Sequence, residues 1–396
     1  MYKNIENSTY IILFSRKIMR EKIVLIFLFL MCASMAAQIE NIKSKYELPT
    51  TVSETSGLLF YNGKLITHND SGDNANLYEV DTISGTITRT ILVTNATHID
   101  WEDITQDETY IYIGDFGNNN GNRQDLKIYR ISKSDFNNAT SITAEIISFS
   151  YEDQVHFTSN PYNHDFDAEA FSVYNNELII FSKNWASSEV KAYSIPKTIG
   201  NHSAKNIGSY NSEGLISGAT YNPEDNSFLL CGYNKEGHPL LLYLKDIDIV
   251  NPFSGIIERT DITSSIGLAS QVEGVTHISG KKYFLSRERV NQTINGNQLV
   301  LNQHLFRFDN GSFDTLSLEN FVLNRINIYP NPSNEWIRIT GIPIREISIV
   351  DHLGRKVWTQ KNSSNQIHIH ELPTGTYILK IVSTDKRIFS KKFIKN

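Results

Sequence analysis

Hydrophobic and polar residues alternate in short runs along most of the chain, and polar or glycine-containing turns separate the runs. The stretch DITQDETYIYIGDFG holds two such runs around a polar turn, which is typical of a β-hairpin. A similar phrase recurs five times between residues 53 and 310. Each copy has a small or acidic turn, two hydrophobic strands, a polar loop and a third strand. No helical pattern competes, so we predict an all-β fold.

The repeats align at five equivalent positions whose separations are 46, 67, 48 and 56 residues: Gly57, Asp103, Ala170, Gly218 and Gly274. Alternating segments between the copies, such as GTITRTILVT, supply a fourth strand. Four short strands at such a period predict a β-propeller, in which sheets pack against one another around an axis. Five blades are favoured and six are possible, because the segment 104–170 is long enough to contain another. A two-sheet sandwich is the alternative fold.

The two ends of the repeat region suggest how the chain is processed and closed. The segment MREKIVLIFLFLMCASMAAQ has the basic, apolar and small-residue order of a signal peptide. We expect translation to begin at Met19, residues 1–37 to be removed, and the mature chain to have no transmembrane span. A retained anchor is the alternative. The segment IKSKYELP is expected to pair with the last repeat as an outer strand.

Composition narrows the classes of function. A chain of 396 residues with 40% hydrophobic residues can bury more than one core. The formal net charge is -6 and no run of basic residues occurs, so nucleic acid and anionic membranes are not expected partners. The motifs of P-loop, nucleophile-elbow and dinucleotide-binding proteins are missing from the sequence. Only Cys231 remains after the signal peptide, so no disulfide is expected.

Residues 321–396 differ from the predicted propeller at 38–320 and read as a small β-sandwich. They contain, in order, INIYPNPSNEWIRI, ISIVDHLGRKVW, LPTGTYILKI and KKFIKN. This segment resembles the type A C-terminal sorting domain of type IX secretion substrates. The resemblance implies that the type IX machinery recognises residues 326–396 and carries the protein across the outer membrane. The protein would then be secreted or held at the cell surface.

The predicted topology brings polar positions of all five repeats to one end of the ring. In a propeller, the loop that enters the first strand of a blade lies on the same face as the loop that leaves the second. The entering positions are Ser56, Glu102, Glu169, Ser217 and Glu273. The leaving loops carry Asp70, Asp115, Lys183, Asn234, Arg287 and Glu288. We therefore predict an acidic cup at the mouth of the axial channel.

Two explanations of the cup stay open, one chemical and one structural. Side chains two apart on an extended chain share a side, so Asp167 and Glu169 can approach one point. Carboxylate oxygens suit calcium, and the predicted metal ligands are Glu102, Glu169, Glu273, Asp70, Asp115 and Asp167. The predicted catalytic residues are Glu102, Glu169, Lys183 and Arg287. Structurally, acids and serines at strand entrances also accept hydrogen bonds from turn amides.

The segments HNDSGDNANLYEVD, DWEDI, IYIGDFGNN, DAEAF and IIFSKNW together resemble a family of exported bacterial propeller proteins. At the fold level the chain is similar to phytase-like and gluconolactonase-like propellers. That similarity implies a divalent ion at the channel mouth and hydrolysis of phosphate esters or lactones. The predicted function is binding or metal-assisted hydrolysis of a small anionic substrate. The alternative is non-catalytic binding of a glycan or protein through Tyr162, Trp185 and Tyr233.

Overall fold

The computed structural model describes residues 42–294, 297–310, 326–340, 343–351, 355–361, 365–383 and 388–396. Strands dominate these residues, which confirms the all-β class. Short helical turns are also present: a 3-10 turn (Thr50–Val52), α1 (Lys133–Phe136) and α2 (Thr263–Ile266). The predicted signal peptide and the predicted domain boundary after residue 320 lie outside the described residues. Within the described part, no helix has the length and apolar character needed to cross a membrane.

The first described region contains the repeats. Its strands are β1 (Lys43–Glu47), β2 (Thr55–Tyr61), β3 (Lys64–Asn69), β4 (Asn76–Asp81), β5 (Ile87–Val93), β6 (Trp101–Gln106), β7 (Tyr110–Asp115), β8 (Lys127–Ser132), β9 (Ser141–Ile142), β10 (Glu145–Tyr151), β11 (Ala168–Tyr174), β12 (Glu177–Ser182), β13 (Val190–Pro196), β14 (Gly200–Tyr210), β15 (Leu215–Asn222), β16 (Ser227–Tyr233), β17 (Pro239–Lys245), β18 (Ile256–Asp261), β19 (Val272–Ser279), β20 (Lys282–Arg287), β21 (Val290–Ile294), β22 (Asn297–Leu301) and β23 (His304–Asp309).

Each repeat folds into an antiparallel meander that starts at one edge of its sheet. The strand orders are β2-β3-β4-β5, β6-β7-β8-β10, β11-β12-β13-β14, β15-β16-β17-β18 and β19-β20-β23. Strand β9 adds to β5 in parallel. Strands β10 and β14 also pair in parallel, which joins the second and third meanders into one eight-stranded sheet. The hairpin β21-β22 forms a separate sheet.

The first strands of the meanders contact one another in a closed cycle. Strands β2, β6, β11, β15 and β19 touch in that order, and β19 touches β2 again. Hydrophobic clusters fill the spaces between successive sheets. One cluster packs Leu59 of the first sheet against Ile104 of the second, and another packs Phe284 of the last sheet against Leu58 of the first. Because these inner strands have a neighbouring sheet on each side, β2 and β11 are buried along most of their length.

Strand β1 closes this arrangement at its outer edge. It pairs antiparallel with β23, with Lys43 opposite Arg307 and Glu47 opposite His304. The last meander therefore takes its outermost strand from the beginning of the chain. The pairing predicted for IKSKYELP is thus confirmed, and it ties the two ends of the repeat region together.

The second described region forms two further sheets. Its strands are β24 (Asn327–Tyr329), β25 (Trp336–Thr340), β26 (Ile344–Val350), β27 (Lys356–Lys361), β28 (Gln366–His368), β29 (Gly375–Ser383) and β30 (Ile388–Lys395). Their orders are β24-β25-β28 and β27-β26-β29-β30. Alternate residues of β29 are buried, as expected for a strand with one face on a core. Both sheets contribute to a single hydrophobic cluster, including Ile337, Ile349 and Leu379.

Candidate functional site

A β-bulge near the start of every inner strand sets the direction of the repeated polar positions. The strand register shifts between Thr55 and Leu58 in β2, and the same irregularity recurs at Trp101/Ile104, Ala168/Ala170, Ile216/Gly218 and Val272/Gly274. A bulge re-aims a side chain that regular alternation would place elsewhere. All five predicted entering positions fall inside or beside these bulges. Sequence alternation alone gives no signal for this device.

Three predicted glutamates from three different meanders meet in one pocket of about 200 Å³. Glu102 comes from β6, Glu169 from β11 and Glu273 from β19. Two acids from leaving loops, Asp70 and Glu288, line the same pocket. The structure therefore brings together four of the six predicted metal ligands. It also adds Glu288, which the prediction placed at the same rim but did not choose as a ligand.

An aromatic wall lines another part of the pocket, formed by Tyr162, Trp185 and Tyr233. The rings of Tyr162 and Trp185 meet edge to face, with centroids 5.0 Å apart. The indole Nε1 of Trp185 donates to Asp167 Oδ2 over 2.7 Å, which fixes the orientation of the ring. Thus the aromatic residues of the alternative glycan-binding prediction and the acids of the main prediction share one site.

Lys183 is the buried cation of the pocket, and it is already engaged. Its ammonium forms an ion pair with Glu169 and donates to the Tyr233 hydroxyl over 3.0 Å. It also lies 4.8 Å from the Trp185 ring centroid, within the range of a cation–π contact. Burial opposes the charge, but Glu169 holds the pKa of Lys183 well above its usual range. Lys183 therefore stays charged and compensates one carboxylate.

The remaining carboxyl groups raise one another's pKa because they are buried close together. Burial and the charge of Glu169 raise the pKa of Glu102 well above its usual range. Burial raises the pKa of Glu273 to about 8, against the opposing charge of Lys183. Burial and the charge of Asp70 raise the pKa of Glu288 to about 8. Glu102, Glu273 and Glu288 are thus carboxyl groups that keep a proton near neutral pH.

Asp100 belongs to the same acidic group, although the prediction did not select it. A Cβ atom placed on Gly117 would overlap both Glu102 Oε1 and the Asp100 carboxyl group, whose Oδ2 lies 2.5 Å from that position. The two carboxyl groups therefore approach each other over the bare backbone of Gly117. Burial, followed by the charges of Asp167 and Asp70, raises the pKa of Asp100 to about 7. The glycine in GDFGN was the signal available in the sequence.

Two predicted metal ligands serve other contacts instead of lining the pocket. Asp167 is fully buried and accepts hydrogen bonds from the backbone amides of Asn118 and Ala168 as well as from Trp185. Asp115 is also buried and pairs with Arg123 at 2.9 Å. Their carboxylates are thus used to hold the loops around the pocket.

The structure does not bring Arg287 to the pocket, where it was predicted to meet an anionic group. Its guanidinium donates to the carbonyl oxygens of Asn302 and Ile266 and lies over the Phe306 ring. Neighbouring residues in extended chain face opposite sides, so only one of Arg287 and Glu288 can face the axis. That residue is Glu288.

The acids of the pocket do not form a ready-made metal site. Among the described residues, no group of three or more His, Cys, Asp or Glu side chains is arranged to hold one metal ion. The Lys183 ammonium already forms an ion pair with the carboxylate of Glu169, one of the predicted metal ligands. Calcium binding stays a prediction.

Comparison with known proteins identifies the C-terminal region. Residues 327–396 match the family model of the secretion system C-terminal sorting domain. The ulvan lyase NLR42 of Nonlabens ulvanivorans is 29% identical over 87 residues, which are 21% of this chain and 16% of that protein. A match that covers so little of the lyase says nothing about its activity here.

Two solved structures show distant similarity. PorZ, a surface component of the type IX secretion system of Porphyromonas gingivalis, is 12% identical with a TM-score of 0.35, over 86% of this chain and 45% of PorZ. The α-L-arabinofuranosidase PaAbf62A of Podospora anserina is 8% identical with a TM-score of 0.40, over 67% of this chain and 94% of the enzyme. Scores this low support no conclusion about function.

The family match supports the predicted route of export. The family model matches the same C-terminal segment whose sequence resembles a sorting domain. This chain is a β-rich protein with a C-terminal sorting domain, which supports its type IX secretion to the cell surface or the extracellular space.

Proposed function

We propose that the five meanders form a five-bladed β-propeller and that its axial pocket binds the terminal sugar unit of an extracellular glycan. The observation that carries this proposal is the meeting of aromatic rings and carboxyl groups from different sheets in one small pocket. Aromatic rings offer an apolar face to a sugar ring, and carboxyl groups accept hydrogen bonds from its hydroxyl groups. Small-molecule sites commonly combine these two elements.

The blade count rests on the cyclic contacts of the inner strands. Five inner strands and the hydrophobic clusters between their sheets return to the first sheet without a gap among the described residues. The long segment between β6 and β11 is taken up by β7 to β10 and a loop. These contacts favour five blades over six.

The size of the pocket favours a single small unit. Its volume is about 200 Å³. Drug-sized ligands occupy pockets of roughly 300–1,000 Å³. A polymer could therefore insert only its end.

The charges favour a neutral ligand over the anionic substrate predicted from the sequence. The pocket contains one cation, Lys183, against five acids: Asp70, Glu102, Glu169, Glu273 and Glu288. The cation is paired with Glu169, and Arg287 lies elsewhere. No cation among the described residues of the pocket is therefore left unpaired to hold an anion, whereas the hydroxyl groups of a neutral ligand can form hydrogen bonds with protonated and with ionised carboxyl groups.

Hydrolysis of a glycosidic bond is a second candidate function, favoured by the several carboxyl groups that line the pocket with Glu102. Such hydrolysis uses one protonated carboxyl group as the acid and a second carboxylate as the base or nucleophile. Burial gives Glu102 a pKa well above its usual range, so Glu102 keeps the proton that the acid needs. Glu102 is thus suited to donate the proton to the leaving oxygen. The phosphoesterase and lactonase alternatives stay predictions.

Binding can be tested with titration calorimetry against glucose, galactose, mannose, xylose and fucose. We expect at least one of these sugars to bind, and Trp185→Ala to weaken its binding about tenfold or more because the stacking face is lost. The matched control is Glu108→Gln, an exposed acid just beyond the opposite end of the strand that carries Glu102. Affinity unchanged by Trp185→Ala would contradict the proposal.

Hydrolysis can be tested separately with p-nitrophenyl glycosides of the same sugars. If Glu102 is the acid, Glu102→Gln abolishes turnover while the sugar still binds. If the wild-type protein binds a sugar but releases no nitrophenol, the binding function is supported and the catalytic function is excluded.

A further inference from the structure

The loop between β10 and β11 forms part of the rim of the pocket. It is held on the neighbouring loop by three hydrogen bonds to successive carbonyl oxygens. The Tyr162 amide donates to Asn119 over 3.0 Å, the Asn160 amide to Asn120 over 2.9 Å, and Gln154 Nε2 to Gly121 over 2.9 Å. The loop is therefore a fixed part of the site.

The backbone of Tyr162 has a conformation that is unfavourable for its residue type. Its φ angle is +54°, in the left-handed region that a bulky side chain rarely adopts. Such a conformation costs free energy in a residue other than glycine. A buried core residue could recover this cost through packing, but the Tyr162 side chain is 60% exposed. The hydrogen bonds of the loop therefore hold this conformation, with the aromatic ring at the surface.

The ring of Tyr162 lies where a ligand would leave the pocket. It lines the pocket and is also exposed to solvent, so it spans the rim. Its centroid is 5.0 Å from that of Trp185, at an interplanar angle of 78°. Trp185 is in turn held by its hydrogen bond to Asp167. Two aromatic rings in fixed positions thus lead from the inside of the pocket to its outside.

We propose that Tyr162 forms an outer subsite that stacks the second sugar unit of a neutral glycan whose end occupies the pocket. This inference rests on the proposed function. It adds that the ligand is a chain of at least two units and that the chain is bound by its end. The pocket has room for one small unit, so every further unit must pass the rim that Tyr162 occupies.

The subsite can be tested by comparing monosaccharides with linear trisaccharides. The probes are glucose, mannose and xylose and the trisaccharides composed of each. Affinities are measured by calorimetry for wild type, Tyr162→Phe and Tyr162→Gly. Glycine adopts a positive φ without strain, so Tyr162→Gly removes the ring and leaves the loop conformation accessible.

We expect the wild type to bind a trisaccharide about tenfold more tightly than its monosaccharide, and Tyr162→Gly to lose this gain, so that the variant binds the two ligands with equal affinity. Tyr162→Phe should retain the gain. If trisaccharide and monosaccharide bind the wild type equally, the subsite is refuted and the pocket stands. If Tyr162→Gly weakens both ligands to the same extent, Tyr162 belongs to the inner pocket and the inference fails. If the wild type binds no sugar, both the proposed function and the outer subsite are refuted.

Discussion

The Asp103 carboxylate accepts a hydrogen bond of 3.1 Å from the backbone amide of Ala219, which lies 116 positions later in the chain. The same oxygen accepts from the amide of Phe171, and the other oxygen from the amide of Ile104. One fully buried side chain thus connects the inner strands of three meanders. Its neighbour Glu102 lines the pocket instead. The two acids of the DWED motif therefore have different tasks, one structural and one at the site.

We expect Asp103→Ala to lower the free energy of unfolding by at least about 3 kcal/mol. Three buried amides would lose their acceptor, and each unsatisfied group costs about 1–3 kcal/mol. Asp103→Asn keeps one acceptor oxygen and should cost less. Urea denaturation measures both, with the exposed Glu108→Ala as the control. A loss below about 1 kcal/mol for Asp103→Ala would show that the amides find other partners.

Stability should fall as the pH rises from about 4.5 to about 8. Glu273 and Glu288 have pKa values near 8 in the folded protein and an ordinary value of 4.5. Between pH 4.5 and about pH 8 the folded state binds more protons than the unfolded state. The free energy of unfolding is therefore highest below the unfolded pKa and decreases until the pH passes the folded pKa. The slope is at most about 1.4 kcal/mol per pH unit for each group.

Urea denaturation at pH 5, 6, 7 and 8 tests this pH dependence. Glu273→Gln should flatten the slope, because an amide does not titrate, while Glu108→Gln should follow the wild type. A wild-type stability that does not fall over this range would mean that these carboxyl groups ionise as readily in the folded protein as in the unfolded chain.

Asp167 should act on ligand binding through Trp185. The Asn side chain in Asp167→Asn has one acceptor oxygen, so it cannot accept hydrogen bonds both from the backbone amides and from the indole. The Trp185 ring therefore loses its fixed orientation. We expect sugar affinity to fall about three- to tenfold, the equivalent of one hydrogen bond. In a Trp185→Phe background, which has no indole donor, Asp167→Asn should have little further effect. Equal losses in both backgrounds would assign Asp167 a role independent of Trp185.

Removal of β1 should destabilise the repeat region. A chain beginning at residue 49 lacks the strand that pairs with β23 and leaves that edge open. Compared with a chain beginning at residue 39, we expect a loss of about 2–4 kcal/mol, since several backbone hydrogen bonds disappear at about 0.5–1.5 kcal/mol each. Thermal unfolding of the two chains makes the comparison. Identical melting temperatures would show that β1 contributes nothing to closure.

Deletion of residues 327–396 should stop export at the outer membrane. The family match assigns the sorting signal to these residues. In cells with a working type IX system, cell fractionation should find the shortened protein in the periplasm and the full chain outside. A reporter with a signal peptide and residues 327–396 attached should follow the full chain. Surface delivery of the shortened protein would place the signal elsewhere.

The all-β class of the fold and several residues of the candidate pocket could be predicted from the amino-acid pattern alone. Alternating runs specify strands because side chains of a strand alternate between two faces, and five copies of one pattern specify five similar sheets. Repeat equivalence was enough to place Glu102, Glu169 and Glu273 at one end of the ring. The C-terminal segment was recognisable because its residues form a contiguous motif.

Which side chains face the pocket, in contrast, depends on how the sheets pack against one another. Alternation says that Arg287 and Glu288 point to opposite sides, but the bulges and the packing of neighbouring sheets determine which side is inside. The approach of Asp100 to Glu102 depends on the loop that carries Gly117, and the pairing of β10 with β14 joins segments that no local pattern relates. Charge compensation by Lys183 likewise arises from contacts between residues distant in sequence, where packing and burial set the geometry.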